Sequence, residues 1–286
     1  MKKLIISLVV IVAAAGGWSY WSQRSKEQAT EAEKAAEGRK ELEQKILSFT
    51  IDGRSPKGAR QWHLEGNSAE FIDDAIHLND LTAIAYGDNT TVNLSSDSGI
   101  YRKEKGEVTL IGNVKVLSSD GTILTTEEAS WSQTTKQINS DVFVRVVREG
   151  MIATGTGASA SSDEEKATLK KEVTVIMEPD TKVECDGPLE VSAKENLAVF
   201  YNNVKVKDKD GELYGDKLTV HFDPETQHLA QVVAEGNVKV LRGKSYTLSE
   251  KAVYTESTKS AKLTGKPRII IDPDEIDELR KASEGS

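Results

Sequence analysis

The sequence predicts an all-β protein with an elongated antiparallel architecture. A short strand with valines at alternate positions recurs about every 31 residues along most of the chain. Turn signals such as Asp120-Gly121 and Asp210-Gly211 follow these strands, and Asp-Gly supplies the positive φ that a tight hairpin needs. After residue 48 no amphipathic helix of ordinary length is indicated. Such repeats must stack to bury their inner faces, which gives a solenoid or an open jellyroll.

The first element is an apolar segment at the N-terminus. Lys2 and Lys3 precede an apolar run that reaches about Gly17, and Trp18 and Tyr20 follow it. Because Trp and Tyr favour the membrane–water boundary, we predict an uncleaved transmembrane helix over residues 1–22 with its N-terminus in the cytoplasm. The alternative is a secretory signal peptide cleaved after the run of three alanines. Both interpretations predict that the rest of the chain is exported.

The second element is a charged segment over residues 23–48. Its Glu, Lys, Ala, Gln and Arg residues are good helix formers with little apolar surface. We predict a solvated, partly helical stalk that holds the body away from the membrane. A coiled-coil dimer is the alternative, although no sustained apolar heptad supports it.

The repeated strands form the body of the protein. Weaker copies of the pattern begin near Phe49 and Leu81, and asparagines introduce three of the clear copies. The clear copies begin at Val114, Val142, Val173, Val204, Val238 and Ile269. Each unit continues with a turn, a second strand and a short polar turn, so we predict two to three short strands per unit.

Alternation within each strand predicts which face is buried. Between Val142 and Val146 the charge at Arg145 marks the outer face, and Lys115 does the same between its neighbouring valines. The residues predicted to face inwards are Val114, Val116, Val142, Val144, Val146, Val173, Val175, Val204, Val206, Leu218, Val220, Val238 and Val240. From the residues alone, this apolar column is most simply the filled core of a β-sandwich.

Composition and motifs exclude several function classes. The net charge of -9 argues against a nucleic-acid partner, and the single cysteine, Cys185, excludes an internal disulfide. The sequence has no Gly-rich phosphate loop and no nucleophile, acid and base set, so we expect neither an enzyme nor an energy source within the chain. His63 and His77, and the pair His221 and His228, lack the spacing of metal ligands, and no cofactor is expected.

A resemblance to a known family indicates a function for this apolar column. Residues 110–147, LIGNVKVLSSDGTILTTEEASWSQTTKQINSDVFVRVV, resemble the LptC family of lipopolysaccharide export proteins in the order of their short motifs. The segments 61–67 (QWHLEGN) and 150–157 (GMIATGTG) also resemble that family, as does the N-terminal anchor. Residues 204–271 are similar to the OstA-like domain of LptA, a soluble protein of the same pathway.

The resemblance implies an antiparallel β-jellyroll of OstA-like repeats, in one unit or two stacked units. It places an LptC-like jellyroll at 49–180, an LptA-like extension at 181–272 and an acidic tail at 273–286. It also implies that the inward-facing residues line a groove for the acyl chains of lipopolysaccharide. The implied partners are the inner-membrane ABC transporter and other periplasmic bridge proteins. The alternative is an envelope scaffold protein whose β-repeat core is filled and carries no lipid.

Overall fold

The computed structural model describes residues 44–54, 60–86, 91–102, 104–132, 134–161 and 163–273, and in these residues the fold is all-β, as predicted. Seventeen antiparallel strands of the described residues belong to one hydrogen-bonded sheet. The predicted anchor over residues 1–22 and most of the predicted stalk and tail lie outside the described residues. No helix of the described part is long and apolar enough to cross a membrane.

The strands follow one another in chain order. The first nine are β1 (Gln44–Arg54), β2 (Arg60–Ile72), β3 (Ala75–Tyr86), β4 (Thr91–Arg102), β5 (Glu107–Ser118), β6 (Ile123–Ser132), β7 (Gln137–Arg148), β8 (Met151–Ser161) and β9 (Lys166–Met177). The others are β10 (Thr181–Cys185), β11 (Leu189–Ser192), β12 (Leu197–Asp208), β13 (Gly211–Phe222), β14 (Leu229–Arg242), β15 (Ser245–Thr255), β16 (Ser260–Thr264) and β17 (Arg268–Ile270). Strand β1 therefore begins within the segment predicted as stalk.

The described chain forms two compact units. The N-terminal unit comprises residues 44–149 and 157–167, and its strands β1 to β7 pair antiparallel with their neighbours in sequence. The C-terminal unit comprises residues 150–156 and 168–273. There β9 pairs with β10, β10 and β11 pair with β12, and the order continues to β15, which pairs with both β16 and β17.

The strands are longer than the sequence pattern predicted. The asparagine that precedes the valine pattern does not start a strand: it lies in the middle of one, at a β-bulge. The bulged pairs Gly112-Asn113, Asn202-Asn203 and Gly236-Asn237 all have positive φ and lie opposite a single residue of the neighbouring strand. A bulge bends its strand, so each strand of about twelve residues has two arms.

A recurring hydrogen bond holds these bulges. The amide nitrogen of Asn113 donates to Asp97 at 2.8 Å, and that of Asn237 donates to Asp216 at 2.9 Å, in each case on the preceding strand. Asn203 makes the same bond to Asp186. Asparagine tolerates positive φ better than most residues, and its amide also satisfies a nearby carboxylate. The repeated asparagines therefore mark bends in the sheet.

In each of the three bulged strands the bend places one residue in the deepest part of the core. The valines directly after the three bulges, Val114, Val204 and Val238, are exposed by only 1%, 2% and 1%. Farther along the arms, apolar residues form separate clusters in the N-terminal unit. Ala85, Val92 and Val116 form one cluster, whereas Ala69, Leu78 and Leu81 belong to another.

Candidate functional site

The inner face of the bent strands is the candidate site, and the predicted inward-facing residues divide there into two groups. Eight are buried: Val114, Val116, Val144, Val173, Val175, Val204, Leu218 and Val238. Five are half-buried: Val142, Val146, Val206, Val220 and Val240. Lys115 and Arg145 are exposed on the opposite face, as alternation predicts.

The residues at the corner, which is the point where each strand bends, are covered by protein. Val114, Val144 and Val173 are each only 1% exposed, the same as Val238 and close to Val204. A side chain buried to this degree contacts protein atoms on all sides, so it cannot also contact a ligand in this conformation. The corner is therefore a packed core.

An apolar row in the C-terminal unit runs from buried side chains at one end to an exposed side chain at the other. It begins at Val175 and Val183, which are 4% and 3% exposed, passes through half-buried side chains, and ends at Ile269, which is 68% exposed. Its members, each directly opposite the next, are Val175, Val183, Val206, Leu213, Val240, Thr247 and Ile269. Six of these seven side chains are thus apolar, although only the first two are buried.

The N-terminal unit has a comparable row. Ala83, Leu94, Val116, Leu124 and Val146 lie opposite one another on consecutive strands. Only Val116 of these five is fully buried. The row is therefore apolar and partly open along most of its length.

Apart from Leu218 and Val220, sequence reasoning placed only the valine-rich arm of each strand, and so it missed several inner-face residues. Leu94, Leu124 and Leu213 lie in the rows just described. On the other arm of the N-terminal unit, the buried side chains of Tyr101 and Trp131 lie on either side of Val108. Alternation extended across the full twelve-residue strands, with a break at each bulge, would have found them.

The outer face of the C-terminal unit carries paired charges. The Oε1 atom of Glu212 lies 3.4 and 3.8 Å from the ammonium nitrogens of Lys205 and Lys207. The ammonium of Lys205 also lies 5.3 Å from the centre of the Tyr214 ring. Glu235 lies 2.8 Å from Lys251, and this hydrogen bond lowers the pKa of the Glu235 carboxyl. Exposed pairs of this kind add little stability, so they chiefly keep the outer face polar.

The two ends of the strand order are edges. In the described residues β1 pairs only with β2, and its Ile46 and Leu47 side chains are 46% and 73% exposed. At the other end β16 and β17 pair only with β15, and Ile269, Ile270 and Ile271 are 68%, 37% and 48% exposed. Open edges with apolar side chains are sites where a further strand can add.

A histidine between two carboxylates fastens β1 to β2. Its Nδ1 lies 2.7 Å from Asp52 of β1, and its Nε2 lies 2.8 Å from Glu65 on its own strand. This residue is His63, directly opposite Asp52 in the register. Arg60 also contacts Asp52, at 3.0 Å. The hydrogen bonds to Asp52 and Glu65 raise the pKa of His63 above its ordinary value of 6.5.

We expect this arrangement to make the N-terminal unit less stable at higher pH. Because the folded-state pKa is raised, the stabilisation is complete below pH 6.5 and is lost as pH rises through the folded-state pKa. NMR titration of the His63 ring should give a pKa above 6.5. The urea midpoint should fall over that window in the wild type and not in His63→Gln. A ring that titrates at or below 6.5, or equal pH profiles for both proteins, would contradict the prediction.

Other reactive groups in the described residues show no arrangement for chemistry. No three His, Cys, Asp or Glu side chains of the described part are placed to hold a metal ion. His221 and Cys185 lie within strands, and burial raises the pKa of the Cys185 thiol, which keeps it protonated and unreactive. The inner face and the two edges are therefore the features that can interact with other molecules.

Comparisons with known proteins identify related families. Residues 9–178 match the family described as "Lipopolysaccharide-assembly, LptC-related". Residues 182–280 match the family described as "LptA/(LptD N-terminal domain) LPS transport protein". No curated protein gives a significant match. Among solved structures the chain is similar to LptH of Pseudomonas aeruginosa, the LptA-homologous periplasmic component of the conserved lipopolysaccharide transport device, with 16% identity and a TM-score of 0.36 over 43% of this chain and 95% of that one.

Proposed function

Because the chain belongs to the LptC-related family of lipopolysaccharide-assembly proteins, we propose that the half-buried apolar rows of its inner face carry the acyl chains of lipopolysaccharide. The families matched are lipopolysaccharide transport proteins of the periplasmic envelope and not enzymes, which confirms the expectation that the chain is not an enzyme. The resemblance to LptC and LptA inferred from the sequence is confirmed by the same matches.

One observation carries this proposal. The row from Val175 to Ile269 is apolar at every position except Thr247, and its two end members are 4% and 68% exposed. Ile269 lies on an edge strand, but a filled β-sandwich would cover the members on the inner strands, where Val206, Leu213 and Val240 are only half-buried. Each buried CH₂ group contributes about 0.8 kcal/mol, so an acyl chain laid along several half-buried side chains would bind well without a deep pocket. Val206, Leu213 and Val240 are the side chains best placed for it.

The thirteen residues predicted to line the groove have different roles in this proposal. The corner valines shape the bend, and the half-buried members Val142, Val146, Val206, Val220 and Val240 contact the lipid. The N-terminal unit supplies one stretch of the path through its own row, and the C-terminal unit supplies another. Successive apolar sites of similar affinity allow lipid to step along without a strongly held intermediate.

We propose that residues 1–22 anchor the chain in the inner membrane beside the lipopolysaccharide export ABC transporter, with the body in the periplasm. The LptC-like part over 49–180 would receive lipid, and the extension over 181–272 would pass it to a further bridge protein. The family matches at 9–178 and 182–280 support this division.

A scaffold function is the second candidate, and the packed corner favours it. If the arms also close over the half-buried rows, the chain is a filled β-repeat that holds partners and carries no lipid. The two candidates differ in the environment of Val206, which is half-buried, and not in that of Val204, which is 2% exposed.

Site-specific photo-crosslinking separates the candidates. A photoreactive phenylalanine at Val206 should capture lipopolysaccharide in cells, whereas the same group at the neighbouring Lys207 should not. Both positions lie on β12, but Val206 faces inwards and Lys207 is exposed on the outer face. Capture at both positions, or at Lys207 alone, would contradict an inner lipid path. No capture at Val206 or Val240, with partner proteins still captured, would favour the scaffold.

A further inference from the structure

The last two strands form an edge with an unusual charge. From Ser260 to Ile271 the sequence contains Lys262, Lys266 and Arg268 and no acidic residue, although the chain as a whole has a net charge of -9. Lys262 lies opposite Val253, and Arg268 lies opposite Leu248. The inner-face side chains Leu263 and Ile269 alternate with these cations along the same edge. The edge is therefore apolar on one face, whereas the other face carries the cations together with Ile270.

These cations differ from six other lysines of the C-terminal unit, because no ion pair of the described residues includes them. Lys182, Lys205, Lys207, Lys217, Lys251 and Lys259 each lie within 4.0 Å of a glutamate. The ion pairs of the described residues include neither Lys262 nor Lys266 nor Arg268. Unpaired cations on an open edge discourage pairing with a neutral or basic strand and leave an attractive field for an acidic one.

A groove beside this edge extends its positively charged surface. It has a volume of about 1090 Å³, and its lining includes Lys239, Lys266 and Arg268 together with Tyr214 and Leu248. Lys239, Leu248 and Arg268 lie directly opposite one another across three strands, so they point to the same outer face. Glu250 is the one acidic residue of the lining. The groove therefore presents a net positive charge next to the open backbone of β17.

We propose that the edge formed by β16 and β17 accepts an acidic edge strand of a second all-β protein. The partner strand would carry carboxylates at alternate positions, facing Lys262, Lys266 and Arg268, and apolar residues between them, facing Leu263 and Ile269. This inference rests on the proposed function and adds the charge of the partner to it. Pairing through backbone hydrogen bonds would continue the apolar row from Ile269 into the partner, while the charges would select the partner and its register.

Two other occupants fit the edge less well. A second copy would offer β1, whose sequence contains Lys45, Asp52 and Arg54 and so has no net negative charge to match. The acidic residues at 274–278 of the same chain have the right charge, but the sequence there has no alternation of apolar and acidic residues that would continue a sheet. A partner strand satisfies the apolar face, the charged face and the open backbone together.

The test uses the full chain in detergent micelles and a labelled probe peptide of about twelve residues in which valine alternates with glutamate. A matched peptide carries lysine in place of glutamate. Fluorescence anisotropy at constant ionic strength gives the affinities, and hydrogen exchange shows which amides the peptide protects. We expect the glutamate peptide to bind at least about tenfold more tightly than the lysine peptide and to protect amides within 260–271.

Charge reversal supplies the control. Lys262→Glu combined with Arg268→Glu should lower the affinity for the glutamate peptide about tenfold and raise the affinity for the lysine peptide. Lys209→Glu combined with Lys194→Glu, at exposed sites of the same unit, should change neither affinity. Equal binding of both peptides, or protection at β1 instead, would overturn the proposal. So would glutamate-peptide binding that appears only when residues 274–286 are removed, since the chain's own tail would then be the occupant. Lipid capture at Val206 is measured separately, so failure here leaves that proposal intact.

Discussion

Replacing Val204 by aspartate is expected to unfold the C-terminal unit, whereas the same replacement at Val206 leaves it folded and removes lipid capture. The two valines lie two residues apart on β12 and face the same way. Val204 directly follows the bulge at Asn203 and is 2% exposed. A carboxylate there would be buried without a partner, at a loss of about 4 kcal/mol or more, which is a large part of the stability of a domain.

Val206 differs because it is half-buried and lies farther along the arm. An aspartate at this position can reach water, so we expect a loss of only about 1 kcal/mol in the free energy of unfolding. It would nevertheless place a charge in the row along which the acyl chains are proposed to lie. Val206→Ala retains an apolar surface and serves as the matched variant, with lipid capture from Val240 reduced far less than in Val206→Asp.

Circular dichroism during urea unfolding measures the first effect, and crosslinking to lipopolysaccharide from a photoreactive group at Val240 measures the second. Stability as high in Val204→Asp as in the wild type would mean that the corner is not a packed core. Undiminished lipid capture in a folded Val206→Asp protein would remove the inner path from the proposal. The pair thus separates the residues that hold the fold from those that contact the cargo.

The sequence sufficed for the fold class because strand alternation is a local property. Val114, Val144 and Val238 are buried and Lys115 is exposed, as their spacing predicted. The Asp120-Gly121 turn was also predictable, and Gly121 has a φ of 84° and donates its amide to the carbonyl of Ser118 at 2.9 Å. In each case the residue types within a few positions determine the outcome.

The bends could not be predicted in this way, because a bulge is defined by pairing between strands. The sequence pattern places Asn113 just before a strand that begins at Val114, but the role of Asn113 depends on Asp97, which lies sixteen residues earlier and becomes a neighbour only in the sheet. For the same reason the sequence did not distinguish Val204 from Val206: both fit the pattern, and only the bend decides which is covered. The unpaired charge of the last strands likewise required knowledge of which lysines have partners.

Replacing Gly236 by valine is expected to destabilise the C-terminal unit by about 3 kcal/mol, because the residue combines backbone strain with a steric clash. Its φ is 75°, which β-branched residues rarely adopt. A Cβ at this position would lie 2.3 Å from Oδ2 of Asp216 and 2.9 Å from its Cβ. The Asp216 side chain would have to move, and its hydrogen bond from Asn237 would be lost.

Gly150→Val separates these two causes within the same unit. Gly150 also has a positive φ, of 69°, but a Cβ there would have no atom within 4 Å. It should therefore show the backbone strain alone, a loss of about 1 to 2 kcal/mol in urea unfolding followed by circular dichroism. Asn237→Asp should lower stability without adding volume, since it removes the amide donor and sets a second carboxylate beside Asp216. Equal losses for Gly236→Val and Gly150→Val would show that the bulge does not depend on the contact with Asp216, and the bend would then need another cause.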